Sequence, residues 1–345
     1  MLEQLPGLLL PWFAEHRRDL PWRRDREPYH VWLSEIMLQQ TRVEAVRGYY
    51  LRFLERLPDI AALASAPEDV LLKLWEGLGY YSRVRNLQKA AQCVMEQHGG
   101  EFPRELSAIR ALPGIGDYTA GAIASICFEA PTAAVDGNVL RVILRLTACA
   151  DSPADVRVRR RIGEELSAVY PAGHCGDFTQ ALMELGATVC LPNGAPQCGA
   201  CPLRALCEAH AQGTELQFPT KPPKKPRRIE EKTVFFLQCG GQYAVRKRPE
   251  TGLLAGLWEL PNVEGTLDAQ QALALLDSWG LVPEELTRTR ERTHIFTHVE
   301  WRMRCYDIRV SMPADSFTWV SGTRFQQDIA LPTAFRIFWQ PEDAE

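Results

Sequence analysis

The sequence predicts a mostly α-helical N-terminal domain followed by a smaller α+β domain. Up to about residue 218, segments such as "EDVLLKLWEGL" and "LQKAAQCVMEQH" repeat apolar residues at the 3.6-residue period of a helix. Farther along, runs such as "TVFFLQC" and "THVEWRMRCYDIRV" are typical of strands, and one helix, "DAQQALALLDSWG", lies among them. A length of 345 residues also favours two domains.

The stretch between these two patterns has the composition of an extended linker. The segment "FPTKPPKKPRRIEEK", residues 218–232, contains four prolines and six basic residues. Proline-rich charged segments stay extended because they have little apolar surface to bury. We therefore predict a first domain over residues 1–218, a linker over residues 219–232 and a second domain over residues 233–345.

The composition is that of a soluble intracellular protein. Hydrophobic residues make up 46% of the chain, yet no apolar run approaches the ~18–20 residues of a membrane span, so we expect no membrane partner. The start, "MLEQLPGLLLPWF", lacks the basic region of a signal peptide. The net charge of −4 gives no direct sign of a nucleic-acid partner. In a reducing compartment, the scattered cysteines are expected to be small buried side chains: Cys93, Cys127, Cys149, Cys175, Cys239 and Cys305.

Four further cysteines form one compact group with the spacing of a metal site. Residues 190–207, "CLPNGAPQCGACPLRALC", place Cys190, Cys198, Cys201 and Cys207 with seven, two and five residues between them. Thiolates at such spacing bind zinc or an iron–sulfur cluster. A zinc ribbon usually has two CxxC pairs and this segment has one, so a [4Fe–4S] cluster fits better. Zinc and a metal-free loop are the alternatives.

The segment "LPGIGDYTAGAIASI", residues 112–126, predicts a tight hairpin between two helices. Gly114 and Gly116 permit a positive φ or the close approach of another backbone. The N–H groups at the start of the second helix would then face outward at the positive end of its dipole, which favours binding of a DNA phosphate. An ordinary turn is the alternative.

Two acids stand out because of their surroundings. Glu35 lies within the apolar stretch "VWLSEIML", where a buried, unpaired carboxylate would cost several kcal/mol if it stayed charged. It is therefore either a glutamate on a helix surface or an acid whose pKa is raised by burial. Asp136 precedes a helix that begins near Asn138 in "VDGNVLRV", where it is suited to cap the helix.

Together these motifs resemble the helix-hairpin-helix DNA glycosylases that carry a [4Fe–4S] cluster, the group that includes endonuclease III. Within that group, the sequence is most similar to the adenine DNA glycosylases of the MutY family. The similar segments in the first domain are "LPWR", "SEIMLQQTRVEAV", "LWEGLGYYSRVRNL", "LPGIGDYTAGAI", "VDGNVLRV", "FTQALMELGATVC" and the cysteine segment. In the second domain, "GLLAGLWELP" and "HIFTHVEW" are similar to the Nudix-like domain of that family.

The resemblance implies a function in base excision repair. It implies an enzyme that acts on double-stranded DNA and removes adenine mispaired with 8-oxoguanine or guanine, with a structural [4Fe–4S] cluster on the four grouped cysteines. We expect a monomeric, cytoplasmic protein associated with the nucleoid.

The resemblance also assigns roles at the reacting bond. Glu35 would be the general acid that protonates N7 of a flipped adenine. Asp136, kept ionised by its capping position, would stabilise the oxocarbenium-like sugar, and Asn138 would help to position Asp136 or a water molecule. We therefore expect a raised pKa for Glu35 and a low pKa for Asp136. Tyr118 stands where lyase relatives have a lysine, so the base should be removed without strand cleavage; a packing role is its alternative.

Three sets of binding residues follow from the same resemblance. The adenine pocket would consist of Arg18, Trp22, Arg23, Leu38, Gln180 and Met183, with a place in the core as the alternative for Trp22. The gap left in the duplex would be filled by Gln40 and Tyr80, and Thr41 and Leu78 would flank the orphan base. The 8-oxoguanine base would be recognised by Phe296, Thr297 and His298, where the family usually has serine in the middle; an ordinary strand is the alternative.

The cysteine loop departs from the family pattern in two ways. The cysteine loop has seven residues instead of six between its first two cysteines and lacks Lys and Arg there. Part of the DNA affinity would therefore come from "VRVRRR", residues 156–161, or from the linker. The alternative is that both segments are charged surfaces in contact with solvent only.

In the second domain, the helix that holds metal in Nudix hydrolases offers only Asp277 as a carboxylate ligand. We therefore predict no nucleotide hydrolysis.

Three other functions compete with adenine removal. One is a related glycosylase with another substrate, such as thymine opposite guanine. The second is a catalytically silent sensor of damaged DNA, against which the joint presence of Glu35 and Asp136 argues. The third is a zinc-ribbon protein that binds nucleic acid.

Overall fold

The computed structural model describes residues 1–220 and 226–339. Part of the predicted linker, residues 221–225, and residues 340–345 lie outside this described part. The contacts divide the chain into two compact units. The first unit comprises residues 1–65 and the described residues from 86 to 220. The second comprises residues 66–85 and the described residues from 226 onward.

The first unit is almost entirely helical, as the 3.6-residue period predicts. In chain order, the α-helices of both units are α1 (Leu5–His16), α2 (Pro28–Leu38), α3 (Val43–Arg56), α4 (Ile60–Ser65), α5 (Glu68–Leu74), α6 (Ser82–Gln97), α7 (Leu106–Ala111), α8 (Asp117–Phe128), α9 (Gly137–Leu146), α10 (Val156–Ser167), α11 (Cys175–Thr188), α12 (Glu208–Ala211), α13 (Ala269–Ser278), α14 (Gly322–Gln327) and α15 (Thr333–Arg336). Among the described residues, no helix is both long and apolar enough to cross a membrane.

Helices α1, α9 and α11 share one hydrophobic core in the first unit. Leu9, Ile143 and Phe178 are among its fully buried side chains. Gly186 allows α11 to approach the start of α9 closely, because a Cβ at that position would lie 2.5 Å from Cβ of Asn138. The close packing of these two helices places the C-terminal end of α11 beside the start of α9.

The second unit is an α+β fold around one mixed sheet, as predicted. Its strands are β1 (Arg228–Cys239), β2 (Gln242–Lys247), β3 (Trp258–Glu259), β4 (Asn262–Glu264), β5 (Pro283–Ile295), β6 (Val299–Val310) and β7 (Thr318–Ser321). The sheet order is β3-β2-β1-β6-β5, with β4 also pairing with β1 and β7 with β2. Strands β1 and β6 are parallel, and the other pairs are antiparallel.

Strand β1 lies at the centre of this sheet and is buried on both faces. Val234 and Phe236 pack into a core on one face, and Phe235 and Leu237 pack into a second core on the other. A continuous apolar run such as "TVFFL" is what a strand buried on both faces requires.

Two boundaries differ from the sequence prediction. Strand β1 begins at Arg228, which is paired with Val299 of β6, so residues 228–232 belong to the sheet and not to the predicted linker. The gain from pairing with β6 outweighs the weak strand propensity of these charged residues. Residues 66–85 pack with the second unit although they lie within the predicted first domain.

Candidate active site

An open cleft of about 1480 Å³ in the first unit brings the predicted catalytic and adenine-binding residues together. It is lined by Glu35, Tyr118, Asp136, Asn138, Arg18, Trp22, Arg23, Leu38, Gln180 and Met183. They come from α2, α8, α9, α11 and the turns that flank these helices. Thr41 also lines the cleft.

Glu35 lies on α2 and is only 6% exposed, which excludes the alternative of a surface glutamate. Burial raises the pKa of Glu35 to about 7, although a hydrogen bond from Tyr118 acts in the opposite direction. The side chain can therefore hold a proton near neutral pH inside a cleft that is open to solvent. This is the state expected of a general acid.

Tyr118, in the first turn of α8, donates its hydroxyl hydrogen to Oε2 of Glu35. Burial raises the pKa of Tyr118 well above its ordinary value, so the side chain remains a neutral phenol. It therefore contacts the acid directly, which argues against the alternative of a packing role alone. Among the described residues, no lysine lines the cleft.

Asp136 caps α9 as predicted, but the prediction of a low pKa is wrong. Its carboxylate accepts hydrogen bonds from the N–H of Val139 at 2.7 Å and from Nδ2 of Asn138 at 2.7 Å. Burial raises the pKa of Asp136, and these hydrogen bonds offset only part of that effect. Capping is visible in the sequence, whereas burial depends on the helices packed around the site. Asn138 is held in turn by Arg141, whose Nη2 donates to its Oδ1 at 2.8 Å.

Glu184 is a residue of the cleft that the sequence analysis missed. Its fully buried carboxylate accepts hydrogen bonds from Nε of Arg18 at 2.7 Å and from Nη2 of Arg23 at 2.9 Å. Burial alone would raise the pKa of Glu184, but the hydrogen bonds from the two arginines outweigh it and lower the pKa to about 2. The sequence "FTQALMELG" could have pointed to Glu184, because this acid directly follows Met183 on a helix that is otherwise mostly apolar.

Trp22 is both a core residue and part of the cleft wall. It is 6% exposed and makes an edge-to-face contact with Tyr50, with ring centroids 5.4 Å apart. It also lines the cleft. A core aromatic can therefore form one wall of the adenine pocket.

The predicted hairpin connects α7 to α8. Gly114 has φ of +77°, and a Cβ there would lie 2.6 Å from Cβ of Asn86, so this position requires glycine. Gly116 differs, because it is extended, caps α8 and has nothing within 4 Å of a Cβ. The space in front of Gly116 is thus open.

Gln40, which was predicted to fill the gap in the duplex, follows the end of α2. It is exposed and has φ of +59°.

The four grouped cysteines line one small cavity in the first unit. Its other walls include Val142, Leu146 and Leu203, and Nη1 of Arg145 donates to Sγ of Cys190 at 3.3 Å. Burial raises the pKa of Cys201 to about 11. Four thiols converging on an apolar cavity fit a cluster, because the positive charge of the metal would stabilise them as thiolates.

Zinc remains the alternative because His210 and Glu215 lie close to Cys198. Both ring nitrogens of His210 are already engaged, however, one with Glu215 and the other with Nε of Arg204.

The arginines of the "VRVRRR" segment, on α10, are partly paired with acids. Arg157 pairs with Asp155, and Arg161 pairs with Asp151. These acids neutralise part of the "VRVRRR" segment.

A second cavity, of about 1380 Å³, lies wholly within the second unit. We call it the reader cavity; its walls include Tyr80, residues 252–255, residues 294–299 and residues 332–334. Phe296, Thr297 and His298 form the turn between β5 and β6, closed by the N–H of Phe296 donating to the carbonyl oxygen of Val299, so they are not an ordinary strand. The hydroxyl groups of Tyr80 and Thr297 are hydrogen-bonded to each other.

Leu78 does not have the exposure expected of a residue that flanks a base. It is buried, and its carbonyl oxygen accepts a hydrogen bond from Nη2 of Arg83 at 3.0 Å. Tyr80, two residues later, is 45% exposed and has φ of +48°.

Helix α13 offers one carboxylate, as the sequence indicates. Asp277 is exposed, and the rest of that helix has no carboxylate.

Comparison with known proteins identifies the family. Residues 33–167 match the family model described as HhH-GPD superfamily base excision DNA repair protein, and residues 233–340 match the NUDIX domain. The adenine DNA glycosylase of Rattus norvegicus is 35% identical, over 92% of this chain and 72% of that protein. The adenine DNA glycosylase of Homo sapiens is 36% identical, over 95% of this chain and 71% of that protein.

The chain belongs to the adenine DNA glycosylase family. Among solved structures, this adenine DNA glycosylase family member is similar to a thermostable thymine-DNA glycosylase. The TM-score is 0.56 and the identity 28%, over 61% of this chain and 97% of the other. Endonuclease III from a non-covalent DNA complex shares the fold, with a TM-score of 0.52 and 24% identity over 62% of this chain and 98% of the other. The predicted family and fold class are thus confirmed.

Proposed function

We propose that this glycosylase excises adenine paired with 8-oxoguanine or guanine in duplex DNA, with Glu35 as the proton donor. The observation that carries the proposal is the buried Glu35, whose pKa of about 7 keeps it partly protonated in an open cleft. Adenine is a poor leaving group until a ring nitrogen is protonated. A flipped adenine in the cleft would receive this proton at N7.

Asp136 would act on the sugar after the proton transfer. When the bond between C1′ and N9 breaks, its electrons leave with the protonated adenine and positive charge develops on the sugar ring. A carboxylate held by Val139 and Asn138 stabilises that charge without having to reorient. A water molecule then adds at C1′ and releases a proton, which leaves an abasic site.

The same cleft supports removal of the base without strand cleavage. β-Elimination requires an amine that forms an imine with the sugar. Tyr118 stands on the hairpin helix and is occupied by its hydrogen bond to Glu35. Arginines are the basic residues of the described cleft, and a guanidinium stays protonated.

Recognition of adenine would use the paired arginines. Glu184 holds Arg18 and Arg23 in place, and the aromatic face of Trp22 and the side chain of Met183 are available for stacking. A site built with fixed polar groups rejects bases that leave those groups unpaired. This favours adenine over thymine, the substrate named for one of the similar solved structures.

Recognition of the partner base would belong to the reader cavity. Thr297 offers a hydroxyl at the tip of the β5–β6 turn, and Tyr80 is exposed beside it. Gln40 and Tyr80 would fill the gap left by the flipped adenine, with Gly114 and Gly116 at a phosphate. We further propose that the protein acts in the cytoplasm, in association with the nucleoid, as a monomer.

The cluster proposed for Cys190, Cys198, Cys201 and Cys207 would be structural. When bound, a [4Fe–4S] group cross-links residues 190–207 and supplies positive charge to the four thiolates. Cys201→Ser should lose visible colour and iron from the purified protein, whereas Cys93→Ser, outside the group, should keep both. A colourless protein that contains zinc would contradict the assignment.

The test of the function is excision of adenine opposite 8-oxoguanine with enzyme in excess, analysed with and without alkali. We expect strand breaks only after alkali, and a rate about 10²–10⁴-fold lower for Glu35→Gln. Glu55→Gln, at an exposed acid on α3, is the matched control. Binding without an abasic product would favour a silent sensor, and excision of thymine opposite guanine instead of adenine would favour the other glycosylase.

A further inference from the structure

We propose that Glu76 is a positioning residue for recognition of the base opposite adenine, an inference that rests on the proposed function. The Tyr80 loop, residues 77–81, follows Glu76 directly. The C-terminal segment, residues 329–336, forms another part of the same unit. Glu76 joins the two, and both line the reader cavity.

The contacts of Glu76 are those of a buried ion cluster. Its side chain is 8% exposed. Oε1 accepts the N–H of Leu331 at 2.9 Å, and Oε2 lies 2.9 Å from Nζ of Lys73 and 3.1 Å from Nη1 of Arg336. Lys73 also donates to the carbonyl oxygen of Ile329 at 3.0 Å. The carboxylate of Glu76 thus contacts two points of the C-terminal segment directly, and Lys73, which it pairs with, contacts a third.

The Tyr80 loop needs such support because its backbone is unusual. Gly77, Gly79 and Tyr80 have φ of +97°, +71° and +48°. Tyrosine rarely adopts the left-handed region, and such residues persist only where the surroundings hold them. Two residues that flank the loop in sequence support it: Nε1 of Trp75 and Nη2 of Arg83 both donate to the carbonyl oxygen of Gly79. Glu76 supplies the attachment from outside.

Holding the Tyr80 loop in place also holds the two hydroxyl groups that face the reader cavity. Tyr80 and Thr297 are hydrogen-bonded to each other, and residues 332–334 of the C-terminal segment line the same cavity. 8-Oxoguanine differs from guanine only at O8 and at N7, so discrimination depends on donors and acceptors held within about 0.5 Å of their working positions. The Glu76 cluster fixes the loop and the segment that set those positions.

The test compares single-turnover excision of adenine opposite 8-oxoguanine and opposite guanine in the full chain. Glu76→Gln keeps an acceptor for Leu331 but removes the charge that faces Lys73 and Arg336. We expect the preference for 8-oxoguanine to fall about fivefold while the rate opposite guanine stays within about twofold. Arg336→Met, at a side chain that is 58% exposed, should shift the preference in the same direction with little risk of unfolding. Asp69→Asn, at an exposed acid of α5, is the matched control.

A double variant separates positioning from a general loss of stability. If Glu76 acts through Tyr80, Glu76→Gln should not reduce the preference further in a Tyr80→Ala background. Equal losses opposite both bases, or additive losses in the double variant, would overturn the inference. So would an unchanged preference in both Glu76→Gln and Arg336→Met. A wild-type chain that excises no adenine opposite 8-oxoguanine overturns the proposed function, and this inference with it.

Discussion

At the scale of single residues, the chemistry depends on which carboxylates hold a proton. Glu35 and Glu184 lie in the same cleft, yet the pKa of one is raised to about 7 and that of the other is lowered to about 2. Burial acts on both. The difference is that Arg18 and Arg23 donate to Glu184, whereas Glu35 faces a neutral phenol.

The raised pKa of Glu35 predicts how the reaction responds to pH. In the proposed mechanism the active form is protonated, so the single-turnover rate should decline as pH rises through about 7. The same proton stabilises the folded state below the pKa of the unfolded chain, and that stability is lost as pH rises through about 7. Rates measured with enzyme in excess across neutral pH check this, and a rate that instead rises through pH 7 would point to a catalytic base.

Glu184→Gln should lower the free energy of unfolding by about 3 kcal/mol near neutral pH, because Arg18 and Arg23 lose their buried counter-charge. A lowered pKa contributes stability above the unfolded value, and that stability is lost as pH falls towards about 2. The gap between wild type and variant should therefore close in acid. Glu164→Gln, at an exposed acid that pairs with Arg160, should change stability little at either pH. A gap that persists in acid would contradict the ionic explanation.

At the scale of secondary-structure elements, the two glycines of the hairpin have different tasks. Gly114→Ala should lower the free energy of unfolding by about 1–3 kcal/mol, since it combines a positive φ with a clash against Asn86. Gly116→Ala should stay within about 0.5 kcal/mol, because its backbone is extended and its surroundings are open. Chemical unfolding of both variants checks this, and equal losses would mean that the hairpin geometry is not the cause.

Much of the site was predictable at this scale because its residues sit in local motifs. Glu35 within "SEIMLQQT", Tyr118 after the hairpin glycines and Asp136 before α9 were all identifiable in the sequence, and the structure places them around one cleft. What could not be predicted depends on neighbours from distant elements. The burial that raises the pKa of Asp136, and the meeting of Glu184 with two arginines some 160 residues away, exist only after α1, α9 and α11 have packed.

At the scale of the whole molecule, the two structural units do not correspond to two continuous segments of the sequence. Periodicity predicted α5 as a helix, but a helix pattern does not reveal which core the apolar face of the helix will join. The contacts assign residues 66–85 to the unit that contains the sheet. The same unit holds Thr297, so Tyr80 and Thr297 come from distant parts of the sequence but belong to one structural unit.

The central claim is that Glu35 transfers a proton to N7 of adenine, and the most direct test removes the acceptor. A duplex with 7-deazaadenine opposite 8-oxoguanine replaces N7 with C–H and preserves the shape of the base. We predict that the wild-type chain binds this duplex about as tightly as Glu35→Gln binds the adenine duplex, and that it excises no base. Excision of 7-deazaadenine at a rate close to that of adenine would contradict the account.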